Sequence, residues 1–184
     1  MISRLSIASL ITASATGLLL ATAAQAQTAT NPNTSSTQEL HQADQAFVTD
    51  GTTAVSTQRD AARLADSRST DRDVKAFAQK VVTDDTRITD ALRAASPRGV
   101  DVPRNDPNNA ALDTIKNLRG AEFDKAYITQ FALAGQQKML SAFQAEISSG
   151  RDAKLKAAAT KALPTIQADY AQAQQLAQRK HLAQ

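Results

Sequence analysis

Between residues 71 and 95 the apolar side chains Val74, Ala78, Val81, Ile88, Leu92 and Ala95 recur with a 4,3 spacing. That rhythm puts them on one face of an amphipathic helix. Asp85 stands at the missing step of the repeat, and Asp84 lies at its border. The stretch 152–178 follows the same rule with Leu155, Ala159, Ala162, Ile166, Ala173 and Leu176, and its missing step is Asp169. A third helix is expected from about Glu39 to Ser67, with Phe47, Ala54, Ala61 and Ala65 on one face and Gly51 and Gln58 completing the spacing. Gly51 is expected to weaken or kink it. A fourth is expected from about Ala121 to Ser148, with Leu133, Leu140 and Ile147 on a stripe that includes Gln130 and Gln137.

The punctuation between these segments is specific. Ser69, Thr70 and Asp71 offer caps for the helix that ends near Ser96-Pro97. The segment RGVDVPRNDPNN holds two of the three prolines Pro97, Pro103 and Pro107 that mark the main loop, and Asp106-Pro107 reads as a cap followed by proline at the first helical position. A short helix should run from there to about Leu118, stopped by Gly120. Gly150 ends the next long helix, Asp152 starts the last, and Pro164 inside that last helix predicts a kink. No segment alternates as a strand would. Four amphipathic helices, plus a short one in the 96–120 connection, describe an all-α four-helix bundle.

The N-terminus departs from this pattern. Arg4, the mostly apolar run Leu5 to Ala21, and Ala24-Gln25-Ala26 form the three parts of a cleavable export signal. Ser6, Ser9, Thr12, Ser14, Thr16 and Gly17 dilute the run too far for a membrane span of about 20 apolar residues. The expected organisation is therefore a signal peptide over 1–26, cut after Ala26, a disordered linker over 27–38, and a helical domain over 39–180. The chain is then periplasmic or secreted, with no transmembrane segment in its mature part. The absence of cysteine removes disulfides and thiolate metal sites. A net charge of +3 with alternating signs, no Trp and few aromatics argue against nucleic acid as a partner.

The candidate chemistry is carboxylate chemistry. A buried, unpaired carboxylate neutralises itself, pairs with a cation or binds a metal. The two histidines, His41 and His181, lie near the ends and are expected to be exposed. None of Glu39, Glu122 and Glu146 has a histidine three residues on, so the Glu-x-x-His signature of di-iron bundles is missing. The candidates are Gln58 and Asp60 on the first helix, Asp84 and Asp85 on the second, Gln130 and Gln137 on the third and Asp169 on the last. An all-oxygen site built from them would suit a hard divalent cation such as Ca²⁺, Mg²⁺ or Mn²⁺. The alternative is that Lys80, Arg59 or Arg63 neutralises the aspartates at the edge of the core. Gly-x-Ser-x-Gly elbows and Gly-rich phosphate loops are absent, and no serine has a mid-chain histidine partner.

VKAFAQKVVTDD (Val74 to Asp85), AEFDKAYI (Ala121 to Ile128) and KLKAAATKALPTI (Lys154 to Ile166) resemble domain of unknown function family 4142 over about residues 43–178. The resemblance implies an exported bacterial protein with a ferritin-like helical fold. It also implies histidines that this chain lacks. Asp84 matches the Asp of the family's Asp-His pair and Asp85 replaces the His. Phe123, Asp124 and Tyr127 match, with Gly135 or Gln136 at the following His position. Leu163, Pro164 and Thr165 match, and Asp169 replaces the third His, while Asp60 takes the place of a Glu on the first helix.

The resulting site expectation is a polar core cluster of Asp60, Asp84, Asp85, Asp169 and Gln136. It has no catalytic residue and needs no cofactor, though a divalent cation could be held there. The functional expectation is a non-enzymatic bundle of the cell envelope with a binding or stress-protection role. The rivals are a ferritin-like metal-binding protein using carboxylate ligands and a helical protein that opens onto lipid or unfolded clients. The sequence names no partner, and assembly into a homo-oligomer is left open.

Overall fold

A computed structural model describes residues 40–182, so the expected signal peptide, the linker and Glu39 lie outside the described residues. Five helices account for the regular structure, and no strand occurs among the described residues. Helix α1 spans residues 42–68, where a π-helical turn, Phe47–Gly51, joins α-helical Gln42–Ala46 to Thr52–Arg68. Helix α2 is Arg72–Ala95 and the short α3 is Asn109–Lys116. Helix α4 spans residues 120–149, with a π-helical segment, Tyr127–Leu133, between Gly120–Ala126 and Ala134–Ser149. Helix α5 is Ala153–Arg179 and runs unbroken through Pro164.

The ends are set by side chains that satisfy free amide groups. Asp71 accepts the N–H of Asp73 at 2.9 Å and of Val74 at 3.2 Å, and Asp152 accepts those of Lys154 and Leu155 at 2.9 Å each. Each cap contributes on the order of 1 kcal/mol. The short helix corrects the expectation of an Asp106 cap. Asn108 is the cap, accepting the N–H of Ala111 at 3.1 Å. The physical reason lies in α1, where Ser56 Oγ and Thr57 Oγ1 accept the N–H groups of Asp106 and Asn108 at 3.2 and 2.8 Å. That segment is pinned to α1, and the helix begins only after it.

The four long helices pack as a ring in the order α1, α2, α5, α4, with α3 lying on α1. Short turns make α1–α2 and α4–α5 antiparallel hairpins, and the 96–119 connection crosses from one hairpin to the other. The buried apolar side chains fall into two groups. One holds Val74, Phe77, Val81, Ile115, Phe123, Tyr127 and Leu176 among others. The other holds Phe47, Val55, Leu92, Met139, Phe143, Leu155 and Ile166 among others.

Helix α4 departs from its expected register. Gln130 and Gln137 are exposed, and Leu133, Leu140 and Ile147 are only half-buried. The buried face is Phe123, Tyr127, Phe131, Ala132, Gln136, Met139, Phe143 and Glu146. The π-helical segment explains the difference: its i→i+5 bonding adds residues to a turn and rotates everything that follows. Among the described residues no helix is long and apolar enough to cross a membrane.

Candidate functional site

Each long helix carries buried polar side chains between residues of the first apolar group and residues of the second. On α1 these are Gln58 and Arg59, on α2 Asp84 and Asp85, on α4 Gln136, and on α5 Asp169. All six are buried. The result is a polar layer across the middle of the bundle, and its residues are far from equally satisfied.

Lys80 organises the acidic side. One turn before Asp84 on α2, it places Nζ 2.6 Å from Asp84 Oδ2 and also donates to Asp169 Oδ1 on α5. Its own side chain is 35% exposed, so the ammonium enters the layer from the surface on its apolar stem. Arg87 adds a looser contact to Asp84 at 3.5 Å. Asp169 Oδ2 and both oxygens of Asp85 are buried without a hydrogen-bond partner. Burial pushes the Asp85 carboxyl well above the usual carboxylate range, and the neighbouring charge of Asp169 pushes it further. Burial also raises Asp169, against the opposing pull of Lys80. Tyr127 shares this surrounding: its phenol is raised by burial and then by the charges of Asp85 and Asp169.

Arg59 supplies the other cation. It is buried, unusual for an arginine, and its guanidinium donates to Thr89 Oγ1 at 3.1 Å, the Arg104 carbonyl at 2.9 Å and Asn105 Oδ1 at 2.5 Å. Thr89 Oγ1 in turn donates to the Asp85 carbonyl at 2.8 Å. Arg59 therefore ties α1 to α2 and to the crossing loop, while its charge partly offsets that of Asp85. Its Nε is buried without a hydrogen-bond partner, 3.9 Å from Asp60 Oδ1. Gln58 closes the layer towards α4 by donating to the Phe131 carbonyl in the π-helical segment at 3.1 Å. That approach depends on Gly135, where a Cβ would lie 1.7 Å from Gln58 Nε2.

Four of the five residues expected in the polar core belong to this layer: Asp84, Asp85, Asp169 and Gln136. Asp60 does not. Its half-buried carboxylate faces outward to Arg63 at 2.9 Å and receives Asn105 Nδ2 at 3.3 Å. One helical position separates it from Arg59, and in a helix that step turns the side chain about 100° away from the layer. His41 and His181 are exposed, and His41 Nδ1 accepts the N–H of Ala43 at 3.3 Å as the cap of α1. Among the described residues, no three or more of His, Asp and Glu are grouped so as to hold a metal ion.

Two buried acids escaped the sequence reading. Asp44 and Glu146 are each 1% exposed, at the end of the bundle where α1 begins and α4 ends. Glu146 stands at a step of the true α4 face, after Gln136, Met139 and Phe143, so it had the signal that revealed Asp85. The register shift at the π-helical segment concealed it.

The matched motif residues also have structural parts to play. Phe123 and Tyr127 are buried one turn apart with their rings stacked, 6.4 Å between centroids and 2° between planes. No curated protein and no solved structure matches the chain. A family model does match, over residues 29–176, which is most of the chain, and the protein belongs to the family described as Domain of unknown function (DUF4142).

Proposed function

We propose that this protein is an exported, non-enzymatic, ferritin-like four-helix bundle of the cell envelope, with a binding or stress-protection role and a central polar layer neutralised from within. The ring of two antiparallel hairpins joined by one long crossing connection supports the ferritin-like reading, since such bundles carry a single long crossover. The three-part N-terminal pattern supports export. The observation that carries the functional reading is Lys80. Its ammonium takes the place between Asp84 and Asp169 that a divalent cation would need. The residues present therefore do not fit a carboxylate-bound metal ion, because placing one would require Lys80 to leave and a second positive charge to be tolerated beside Arg59. The layer's polar groups instead fix which helices pair and in what register, a recognised use of buried charge.

The test is elemental analysis of the protein purified from an envelope fraction without chelator, followed by equilibration with Mn²⁺, Ca²⁺ or Fe²⁺ and native mass spectrometry. This reading expects substoichiometric metal in both. One firmly held metal ion per chain, lost on replacing Asp85 or Asp169 with Asn, would favour the metal-binding alternative.

A further inference from the structure

The first turn of α1 is tied to the α4–α5 turn by the buried carboxylate of Asp44, and a second buried carboxyl, that of Glu146, lies close by. Asp44 Oδ1 accepts the backbone N–H of Arg151 at 2.8 Å and of Asp152 at 2.9 Å, just before α5 begins. Glu146 reaches the same region from the last turn of α4, and neither of its oxygens meets an N–H or a cation. Gly150 closes over it, where a Cβ would lie 2.4 Å from Glu146 Oε1 and 2.6 Å from the Glu146 carbonyl oxygen. Two ionised carboxylates in so confined a place repel each other, whereas one proton makes Glu146 a donor to Asp44.

We infer that Asp44 and Glu146 share one proton and form a pH-sensitive latch, which clamps residues 42–51 onto the α4–α5 turn at acid pH and weakens as pH rises towards neutrality. The charged groups around Glu146 are Asp44 on α1, and Asp152 and Lys156 at the start of α5; His41 faces Asp44. Only Lys156 and His41 oppose the negative charge. Burial, then the charge of Asp44, pushes Glu146 up to about 7. Burial also pushes Asp44 upward, but its hydrogen bonds from the Asp152 and Arg151 amides outweigh that and hold it below the usual carboxylate range. The shared proton therefore resides on Glu146.

Glu146 holds its proton in the closed latch and releases it near pH 4.5 when the latch opens and exposes it. Closure is fully favoured below that value, is lost progressively as pH rises through about 7, and then levels off. The clamped segment holds apolar side chains in the core: Phe47 and Val48 are buried, and Phe47 packs edge-on against Phe143 with ring centroids 4.9 Å apart.

Hydrogen exchange of the purified chain between pH 5 and 8.5, expressed as protection factors, tests the latch. Protection over residues 42–51 should fall by up to tenfold per pH unit until about pH 7 and then flatten, while the middle of α2 and α5 keeps its protection. In Glu146→Gln, whose amide donates to Asp44 at any pH, protection of the same segment should not vary with pH over this range. A wild-type profile without pH dependence, a fall shared equally by all helices, or an unchanged dependence in Glu146→Gln would each overturn the latch. Should Glu146→Gln fail to fold, ¹³C NMR titration of the wild-type carboxyl groups decides: Glu146 titrating near 7 upholds the latch, and Glu146 titrating in the ordinary range near 4.5 removes it.

Discussion

Replacing Lys80 with Met removes the ammonium that bridges Asp84 and Asp169 while keeping an apolar stem of similar length. The cost has a ceiling set by Asp169, whose side chain is fully buried. An orphaned carboxylate there takes up a proton instead of staying charged. Neutralising a carboxyl at pH 7, roughly three pH units above its ordinary value, costs about 4 kcal/mol at ~1.4 kcal/mol per unit. The actual loss is smaller for two reasons. Asp169 is already raised by burial in the intact protein, so part of that cost is present before the substitution. Lys80 is also a third exposed, and water screens its attraction. About 2 kcal/mol is the expected destabilisation at pH 7, or a fall in Tm of roughly 6 °C for a domain of this size. In the variant the folded-state value of Asp169 rises further, so the loss is absent below about pH 4 and grows as pH increases. Urea unfolding of both proteins at pH 4, 5.5 and 7 reads this directly. A cost below about 0.5 kcal/mol at pH 7, or an equal cost at all three pH values, would refute an electrostatic role for Lys80.

Asp85→Asn removes a carboxyl that the fold must keep protonated or bear as a buried charge, so it should stabilise the protein at pH 7 by on the order of 1–2 kcal/mol. Because the Asp85 carboxyl is raised, the wild type is favoured at acid pH and loses that advantage upward from about pH 4; denaturation at pH 4 should therefore show little difference between the two proteins. Gly150→Ala should cost about 2 kcal/mol by thermal denaturation, since the new methyl group meets the Glu146 carbonyl as well as its buried carboxyl; a neutral result would mean that the α4–α5 turn yields easily.

Much of the fold was legible because α2 and α5 keep a regular period. Every apolar residue expected on their faces is buried except Ala95, which is half-buried, and the breaks at Asp85 and Asp169 mark the polar layer. Helix α4 was not legible in the same way. Its period changes within Tyr127–Leu133, and reading a uniform helix across that segment selects Leu140 and Gln137 instead of Met139 and Gln136. Arg59 was hidden for another reason: an arginine rarely reads as core, and its burial depends on acceptors from the crossing loop, 45 and 46 residues away, and from Thr89. Asp60 was expected inward because it takes the place of a family Glu, but it lies two positions past Gln58, about 200° further round the helix, and faces away from the layer.

The central claim is that the polar layer is neutralised by the chain's own cations and asks for no metal. Thermal melts of the intact protein in EDTA and in millimolar Mn²⁺ or Ca²⁺ test it most directly, because any ion bound only by the folded state raises the melting temperature by mass action. This account predicts midpoints that agree within about 1 °C, the sensitivity at which ~0.3 kcal/mol would show for a domain of this size. A rise of several degrees with either ion, abolished by Asp85→Asn, would contradict it.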